Sequence, residues 1–250
     1  ITYNEPLTQN SFLSLQYRIS YEDELKDQQA FYTDASFDPA SQKINQQMTS
    51  KYESGYWKHR VGPGFRYAKD RNTIVANVFY QYSELEGKIA GGQNDDISKK
   101  FHNFIYFGMI NYAFNKENSI RVFLRSSTNS PSVTQLQSIF DVSNPQYLSI
   151  GNKDLDPSFS HNFNFHYIHS NIEKGRTFMW MFSASNQQNY ISSSTLYCPT
   201  GFALTQFGDM KDVPLNSKGE PYTPQRITSY ENLDGYWSLR THISLGLPLS

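Results

Sequence analysis

The fold is decided by one stretch near the start of the chain, Leu13-Ser14-Leu15-Gln16-Tyr17-Arg18-Ile19-Ser20-Tyr21. Apolar or aromatic side chains occupy every odd position, and polar side chains occupy every even one, without a break. A period of two places the two kinds of side chain on opposite faces of a β-strand. The stretch therefore predicts a half-buried strand.

The same alternation recurs along the rest of the chain. It is found in residues 57–67, 74–83, 104–114, 120–125, 162–167, 178–184 and 237–247, and it is weakest in the first of these. No segment of comparable length has the spacing of an amphipathic helix. The chain is therefore predicted to be all-β, with about eight long strands.

Composition narrows the class of protein. The 250 residues include 22 Lys+Arg and 23 Asp+Glu, a net charge of −1 that argues against a nucleic-acid partner. Mean hydropathy is −0.62 and 16% of the residues are aromatic, which is too many rings for a disordered chain. The longest apolar run, residues 104–110, is far shorter than the ~20 residues of a membrane-spanning helix. These facts leave a soluble all-β protein or a transmembrane β-barrel.

The predicted strands are joined by connections that alternate in length. Short polar turns fall at residues 8–10, 69–72, 115–118 and 171–176, and long polar connections at 27–48, 86–100, 129–158 and 188–228. Outer-membrane barrels have this order, with short periplasmic turns and long extracellular loops. The pattern favours an antiparallel up-and-down transmembrane β-barrel over a soluble sandwich.

The two faces of the predicted strands support the same interpretation. A barrel strand of ~9–11 residues crosses the hydrocarbon with about five outward apolar side chains. The opposite face carries Arg, Asn, Gln, Ser and His, which a watered lumen accommodates and a sandwich core does not. The rows of Leu13 and Leu239 are therefore expected to face lipid, and Arg18 and Arg240 the lumen. Rings near the ends of the apolar rows are predicted to form the membrane girdle: Tyr17, Tyr21, Tyr80, Tyr82, Tyr112, Tyr167 and Trp237.

The chain is expected to be part of something larger. Residues 1–7 run straight into the first turn and resemble the tail of a descending strand, and residues 247–250 repeat a similar strand exit. Eight strands cut from a sheet would leave two unpaired edges. Residues 1–250 are therefore predicted to belong to one larger barrel domain.

Three motifs carry a resemblance to a known family. They are Tyr3-Asn4-Glu5-Pro6-Leu7, then Thr128-Asn129-Ser130-Pro131-Ser132-Val133-Thr134-Gln135-Leu136, and then Gly151-Asn152-Lys153-Asp154-Leu155-Asp156-Pro157-Ser158. They resemble the "Y-x-E-P-L", "T-x-x-P-S-x-x-Q-L" and "G-N-P-D-L-K-P-E" patterns in the C-terminal barrel of Bacteroidetes TonB-dependent receptor-like outer-membrane proteins. Lys153 and Ser158 depart from the last pattern.

The resemblance carries implications beyond the fold. It implies a bacterial outer-membrane location, a 22-stranded barrel, an N-terminal plug that lies outside this sequence, and import of a scarce solute driven by the TonB system. Contact with outer-membrane lipid and a surface lipoprotein partner are implied in the same way. Within the third motif, a structural role in the loop is expected for Gly151, Asn152, Asp154, Leu155 and Pro157.

Metal and catalytic sites are not predicted. His161 and His169 share one strand face while His166 lies on the other, so the three do not converge. Asp154 and Asp156 offer two carboxylates to calcium, but a turn role is preferred. No motif of a serine hydrolase, zinc protease or nucleotide-binding loop occurs, and no cofactor or enzymatic activity is expected. The acidic residues at 22–24 are interpreted as solvated charges and not as catalytic acids. Cys198 is interpreted as having no functional role.

Aromatic residues in the long connections are the candidates for ligand binding. They are Tyr147, Tyr190, Tyr197, Phe202, Phe207 and Tyr222. Such rings either stack on a solute, glycan or peptide, or pack the loops against each other. Because no cationic mouth is apparent, a neutral or zwitterionic nutrient is predicted. The alternative function is a soluble or secreted β-rich carbohydrate-binding module.

Overall fold

A nine-stranded antiparallel sheet dominates the molecule. The computed structural model describes residues 1–29, 31–32, 43–44, 49–91, 97–136, 140–204, 215–216 and 218–248. The strands of this sheet, in chain order, are β1 (Thr2–Thr8), β2 (Ser11–Gln28), β5 (Ser50–Lys69), β6 (Asn72–Gly91), β7 (Ile97–Ala113), β8 (Asn118–Asn129), β10 (Ser158–Asn171), β11 (Arg176–Gln188) and β14 (Tyr236–Gly246). Each pairs with the next, as predicted for an up-and-down barrel.

Smaller elements lie in the long connections. A three-stranded sheet, called here the loop sheet, has the order β12-β13-β9 and consists of β9 (Tyr147–Ser149), β12 (Tyr190–Tyr197) and β13 (Arg226–Leu233). A further pair is formed by β3 (Phe31–Tyr32) and β4 (Lys43–Ile44). The one helical turn in the described part, α1 (Val133–Leu136), is far too short to cross a membrane.

The outer face of the sheet is apolar over eight of its nine strands. One row of direct cross-strand partners runs through eight strands and contains Leu13, Phe65, Ala76, Gly108, Leu124, Phe163, Ala184 and Leu239. None of these side chains is polar. Leu239 is 65% exposed and Leu13 is 44% exposed. An exposed apolar surface of this extent is what lipid requires and water does not tolerate.

The inner face has the opposite character. The adjacent row contains Ser14, Gly64, Asn77, Phe107, Arg125, Asn162, Ser185 and Ser238. Only Phe107 in this row has a large apolar side chain. Polar side chains here bond to one another, as where Gln16 Nε2 donates to Asn77 Oδ1 at 3.2 Å. The inner face therefore has the chemistry of a barrel lumen.

The strands are longer than the sequence pattern predicts. The predicted connection 86–100 is wrong for most of its length, because β6 continues to Gly91 and β7 begins at Ile97. The predicted connection 188–228 contains β12 and part of β13, and the next strand of the large sheet begins only at Tyr236. The segment with the weakest alternation, residues 57–67, lies in a 20-residue strand. Above the lipid band the outer face meets water, so the apolar signal stops before the strand does.

The sheet has two open edges. Among the described residues, β1 is hydrogen-bonded only to β2, and β14 only to β11. The β1 pairing joins Tyr3 to Leu15 and Glu5 to Leu13, so the predicted strand exit lies in the sheet. Unpaired edges of this kind attract further strands.

Two long connections fold together over the inner face. Leu136 and Leu155 from the first of them are buried against Tyr52, Tyr56 and Leu85 of β5 and β6. Phe101, Ile191 and Tyr230 pack against the same cluster. The cluster lies above the girdle and attaches the connections to the wall of the sheet.

The third sequence motif joins the two connections. Asn152 Nδ2 donates to the carbonyl of Tyr230 at 2.9 Å. The Asp156 amide donates to Asn232 Oδ1 at 2.8 Å, and Asn232 Nδ2 donates back to the Asp156 carbonyl at 3.0 Å. Leu155 is 1% exposed and Pro157 is buried, while the Asp154 amide donates to Asn152 Oδ1 at 2.9 Å. Gly151 is half-buried at the start of the segment.

Tyr52→Phe is expected to raise stability by about 1 kcal/mol, because Tyr52 Oη is buried without a hydrogen-bond partner among the described residues. Burial first, and the charge of Glu24 second, raise the pKa of Tyr52 to about 12 from 10.0. As pH rises from 10 towards 12, the unfolded state ionises first and the wild type loses stability. Urea unfolding measured at pH 8 and at pH 11 should show that the variant loses less folding stability between the two pH values than the wild type. Equal losses of stability in the two proteins would contradict this account.

Candidate functional site

The exposed face of the loop sheet brings together two of the predicted ligand-binding residues. Tyr197 on β12 is the direct partner of Arg226 on β13, and Arg226 is the direct partner of Tyr147 on β9. All three side chains therefore point to the same face, which is called the platform here. Tyr197 is 77% exposed and Tyr147 is 44% exposed, so their rings are accessible to solvent.

The second row of the platform consists of hydroxyl groups. Thr195 pairs with Thr228, and Thr228 pairs with Ser149. Neighbouring strands lie about 4.8 Å apart, so the two tyrosines are separated by about 10 Å. Two rings, one guanidinium and three hydroxyls within this span suit one sugar unit or a short peptide.

The electrostatics of the platform are set by Arg226. Its guanidinium carbon lies 4.9 Å from the centroid of the Tyr147 ring, in a cation–π contact. Arg226 takes part in none of the ion pairs formed among the described residues. The charge on this face is therefore positive and available to a ligand.

The opposite face of the loop sheet is packed. Ile227 and Leu148 are buried with Phe140, Ile150 and Leu204 in one cluster. This core holds the platform in place, because the strands that carry Tyr147 and Arg226 also carry Leu148 and Ile227. The platform is thus a rigid surface rather than a collection of loop side chains.

The remaining predicted ligand residues are placed elsewhere. Phe202 and Tyr222 pack against the core of the loop sheet. Tyr190 stacks on Tyr236 with ring centroids 4.8 Å apart. Phe207 lies outside the described residues. The surroundings of Phe202, Tyr222 and Tyr190 therefore correspond to the alternative given from the sequence, in which such rings pack the connections together.

Cys198 packs against the same core, and burial raises the pKa of its thiol. A thiol with a raised pKa is mostly protonated and is a poor nucleophile at neutral pH. The structure therefore gives this residue a packing environment.

Rings of the predicted girdle lie on the outer face near the two ends of the apolar band. Tyr17 Oη lies 2.9 Å from His59 Nδ1, and the Tyr21 ring lies 4.5 Å from the Trp57 ring. Three further girdle tyrosines form side-chain hydrogen bonds: Tyr80 with His102, Tyr82 with Glu84, and Tyr167 with Asn118. The Tyr112 ring packs edge-on against the Phe114 ring. Trp237 is 64% exposed at the upper end of β14. Amphipathic rings in two bands are typical of both membrane interfaces.

The sequence match agrees with this arrangement and covers nearly all of the chain. The sequence model of the outer membrane protein β-barrel family matches residues 2–250. The chain belongs to this family. It is therefore an outer-membrane barrel protein, and the soluble or secreted carbohydrate-binding module is not retained.

Solved structures to which this chain is similar include receptors from Pseudomonas aeruginosa and Acinetobacter baumannii. A mutant of the ferric enterobactin receptor PfeA from Pseudomonas aeruginosa has 12% identity and a TM-score of 0.42, over 100% of this chain and 40% of that one. The siderophore receptor PirA from Pseudomonas aeruginosa has 10% identity and a TM-score of 0.43, over 99% and 52%. PirA from Acinetobacter baumannii has 14% identity and a TM-score of 0.42, over 98% and 41%.

The family member spans about two fifths to one half of the length of these receptors. No curated protein matches it. The family assignment depends on the sequence model and not on these structures.

Histidines and carboxylates of this outer-membrane chain are dispersed. His161 Nδ1 lies 2.7 Å from Tyr106 Oη, and His169 Nδ1 lies 2.9 Å from Asn118 Oδ1, near opposite ends of β10. Glu22 pairs with Lys58, with Oε1 and Nζ 2.9 Å apart. Across the described ranges, no three His, Cys, Asp or Glu side chains are grouped so that they could hold a metal ion.

Sequence reasoning missed four members of the platform: Arg226, Thr195, Thr228 and Ser149. The alternation of Ile227 with Arg226 and Thr228 is a weak strand signal that was available. The parallel pairing of β13 with β9 was not, because it joins residues far apart in the chain.

Proposed function

We propose that the chain forms a large part of the barrel of a TonB-dependent receptor that captures a scarce solute outside the cell and imports it. The support is the combination of a lipid-compatible outer face, a polar inner face and a rigid extracellular platform. Energy from the TonB system and a plug in the lumen belong to this proposal through the sequence resemblance. An origin in Bacteroidetes and a surface lipoprotein partner are part of the proposal on the same ground.

The same proposal includes residues 1–250 as part of one larger barrel domain. A barrel in a membrane has no free edges, because unpaired backbone groups are costly in hydrocarbon. The outward edges of β1 and β14 would then pair with further strands of the receptor. A 22-stranded barrel would supply them.

The observation that carries the ligand assignment is the exposed row Tyr197–Arg226–Tyr147 on a sheet whose other face is packed. The ligand we propose is a small solute, glycan or peptide, neutral or zwitterionic overall. Tyrosine rings cover its apolar faces, the hydroxyl row bonds to its polar groups, and the Arg226 guanidinium group donates hydrogen bonds to one carboxylate.

Tyr197→Ala is expected to weaken ligand binding by the intact receptor about tenfold, which corresponds to about 1.4 kcal/mol for an exposed ring in contact with the ligand. A panel of neutral oligosaccharides and short peptides, titrated calorimetrically against the wild type, identifies the ligand. Arg226→Gln should weaken binding of zwitterionic peptides more than that of neutral oligosaccharides.

Leu196→Ala is the matched control, because Leu196 is the neighbour of Tyr197 on β12 and is 45% exposed on the opposite face. It should bind the ligand within about twofold of the wild type. If Tyr197→Ala and Leu196→Ala bind every ligand of the wild-type receptor with equal affinity, the platform is excluded as the binding surface.

A further inference from the structure

The inner face of the sheet carries a second group of side chains that the platform does not involve. Arg18 on β2 and Arg60 on β5 are direct cross-strand partners. Arg125 on β8 lines the same cavity, which has a volume of about 620 Å³. Like charges directly opposite each other in an antiparallel pair are destabilising. Three guanidinium groups around one cavity therefore favour a counter-charge between them.

The acidic side chain that interacts electrostatically with Arg60, Glu22, is not part of the cavity wall. Neither aspartate nor glutamate is among the described residues that line the cavity. Glu22, further up β2 on the same face, pairs with Lys58 at 2.9 Å. Gln16 and Asn77, which line the cavity, are neutral and bond to each other at 3.2 Å.

Arg60 is held in place for a ligand. Its Nε donates to Gln81 Oε1 at 2.6 Å, and Gln81 is 0% exposed. Gln81 Nε2 donates in turn to Thr128 Oγ1 at 2.9 Å and to Ser83 Oγ at 3.3 Å. This chain of bonds fixes Arg60 through one nitrogen and leaves the outer edge of its guanidinium group free.

The other two arginines are free to complete the site. Their backbones are paired in the sheet, but neither the Arg18 nor the Arg125 guanidinium group forms a side-chain hydrogen bond or an ion pair with another described residue. A guanidinium group presents its donors as a planar fork that matches the two oxygens of a carboxylate or phosphate. Such bonds are stronger where water is partly excluded, which applies to the half-buried Arg60 more than to the exposed Arg18 and Arg125.

We propose that Arg18, Arg60 and Arg125 form a binding site for an oxyanion, a carboxylate or phosphate group, on the lumen wall. Two sources have this chemistry: a carboxylate side chain of a segment that fills the lumen, and an acidic group of a solute on its way through. The site requires the barrel but not the platform, so its test is independent of ligand capture.

The test measures how fast phenylglyoxal modifies each arginine of the intact receptor in detergent, followed by peptide mass spectrometry. Inorganic phosphate is the probe, compared with sodium chloride of equal ionic strength. At phosphate about fourfold above its Kd, modification of the three arginines should slow about fivefold, because only the free fraction reacts. Arg121 is the internal control: it lies on the same face of β8 and bonds to Asn111 Oδ1 at 2.8 Å. Its rate should not change.

The salt dependence separates the two sources. If a carboxylate of the protein occupies the site, the three arginines react slowly at low salt whatever the phosphate concentration, and quickly at about 1 M NaCl, where ion pairs are screened. Arg18→Gln should then speed the modification of Arg60 at low salt, and Arg121→Gln should not. Rates that are insensitive to both phosphate and salt overturn the proposal.

Discussion

Ile243→Arg is expected to cost about 2–4 kcal/mol of folding free energy in a bilayer, the penalty for arginine on the lipid face of a barrel near the midplane. Ile243 lies on the outer face of β14, is 62% exposed, and follows the girdle residue Trp237 by six residues along the strand. Its cross-strand partner, Trp180, is also on the outer face. Urea titration of the protein in phospholipid vesicles measures the cost.

Ser244→Arg is the matched control on the same strand. Ser244 is the next residue, so its side chain lies on the inner face, opposite Met179. An arginine there reaches the lumen and should cost about 1 kcal/mol or less. Equal costs at the two positions, or the reverse order, would remove the lipid-facing assignment of β14.

Gly62→Ala is expected to destabilise the protein by about 3 kcal/mol, the upper part of the range for forcing atoms into a packed position. A Cβ at Gly62 would collide with the carbonyl oxygen of Val78 and would lie 2.7 Å from Phe79 Cα. Both obstacles are backbone atoms and do not rotate away. The paired register of β5 with β6 is interrupted beside this glycine, between Val61 and Gly64, where Pro63 has no amide hydrogen to donate.

Gly108→Ala is the control for that substitution. Gly108 is also in the middle of a strand of the large sheet, but a Cβ there would meet only Leu124 Cβ, at an ordinary 3.6 Å. Reduced freedom of the unfolded chain should make this variant equal to the wild type or up to about 1 kcal/mol more stable. A Gly62→Ala protein that unfolds in vesicles at the same urea concentration as Gly108→Ala would contradict the close approach.

Most of the fold could be predicted from local sequence, and the exceptions have a physical cause. Within the membrane, lipid on one side and water on the other impose the strict alternation of residues 13–21. Beyond the membrane the outer face carries Glu84, Glu86 and Lys88, which water solvates. Strand β6 continues through them by pairing with β5 and β7, and backbone pairing leaves no mark in the hydropathy pattern.

The candidate site was predictable only in part. Rings in a polar connection are conspicuous in any sequence, so Tyr147 and Tyr197 were among the predicted ligand residues. Phe202 was chosen on the same ground, although it packs against a core that is formed by residues from both connections. Arg226 was missed because its meaning comes from its neighbours in the loop sheet, and those neighbours are set by tertiary structure.

The parallel pairing of β9 with β13 has a consequence for the order of folding. Several neighbouring strands of the large sheet, such as β5 with β6 and β10 with β11, are joined by short turns, and such local hairpins close at low entropic cost. The β9–β13 pair encloses the β10–β11 hairpin between its two strands, so its loop closes only at a higher entropic cost. The platform is therefore expected to form after the short hairpins of the wall have closed, so a barrel in which only those hairpins have formed still lacks it.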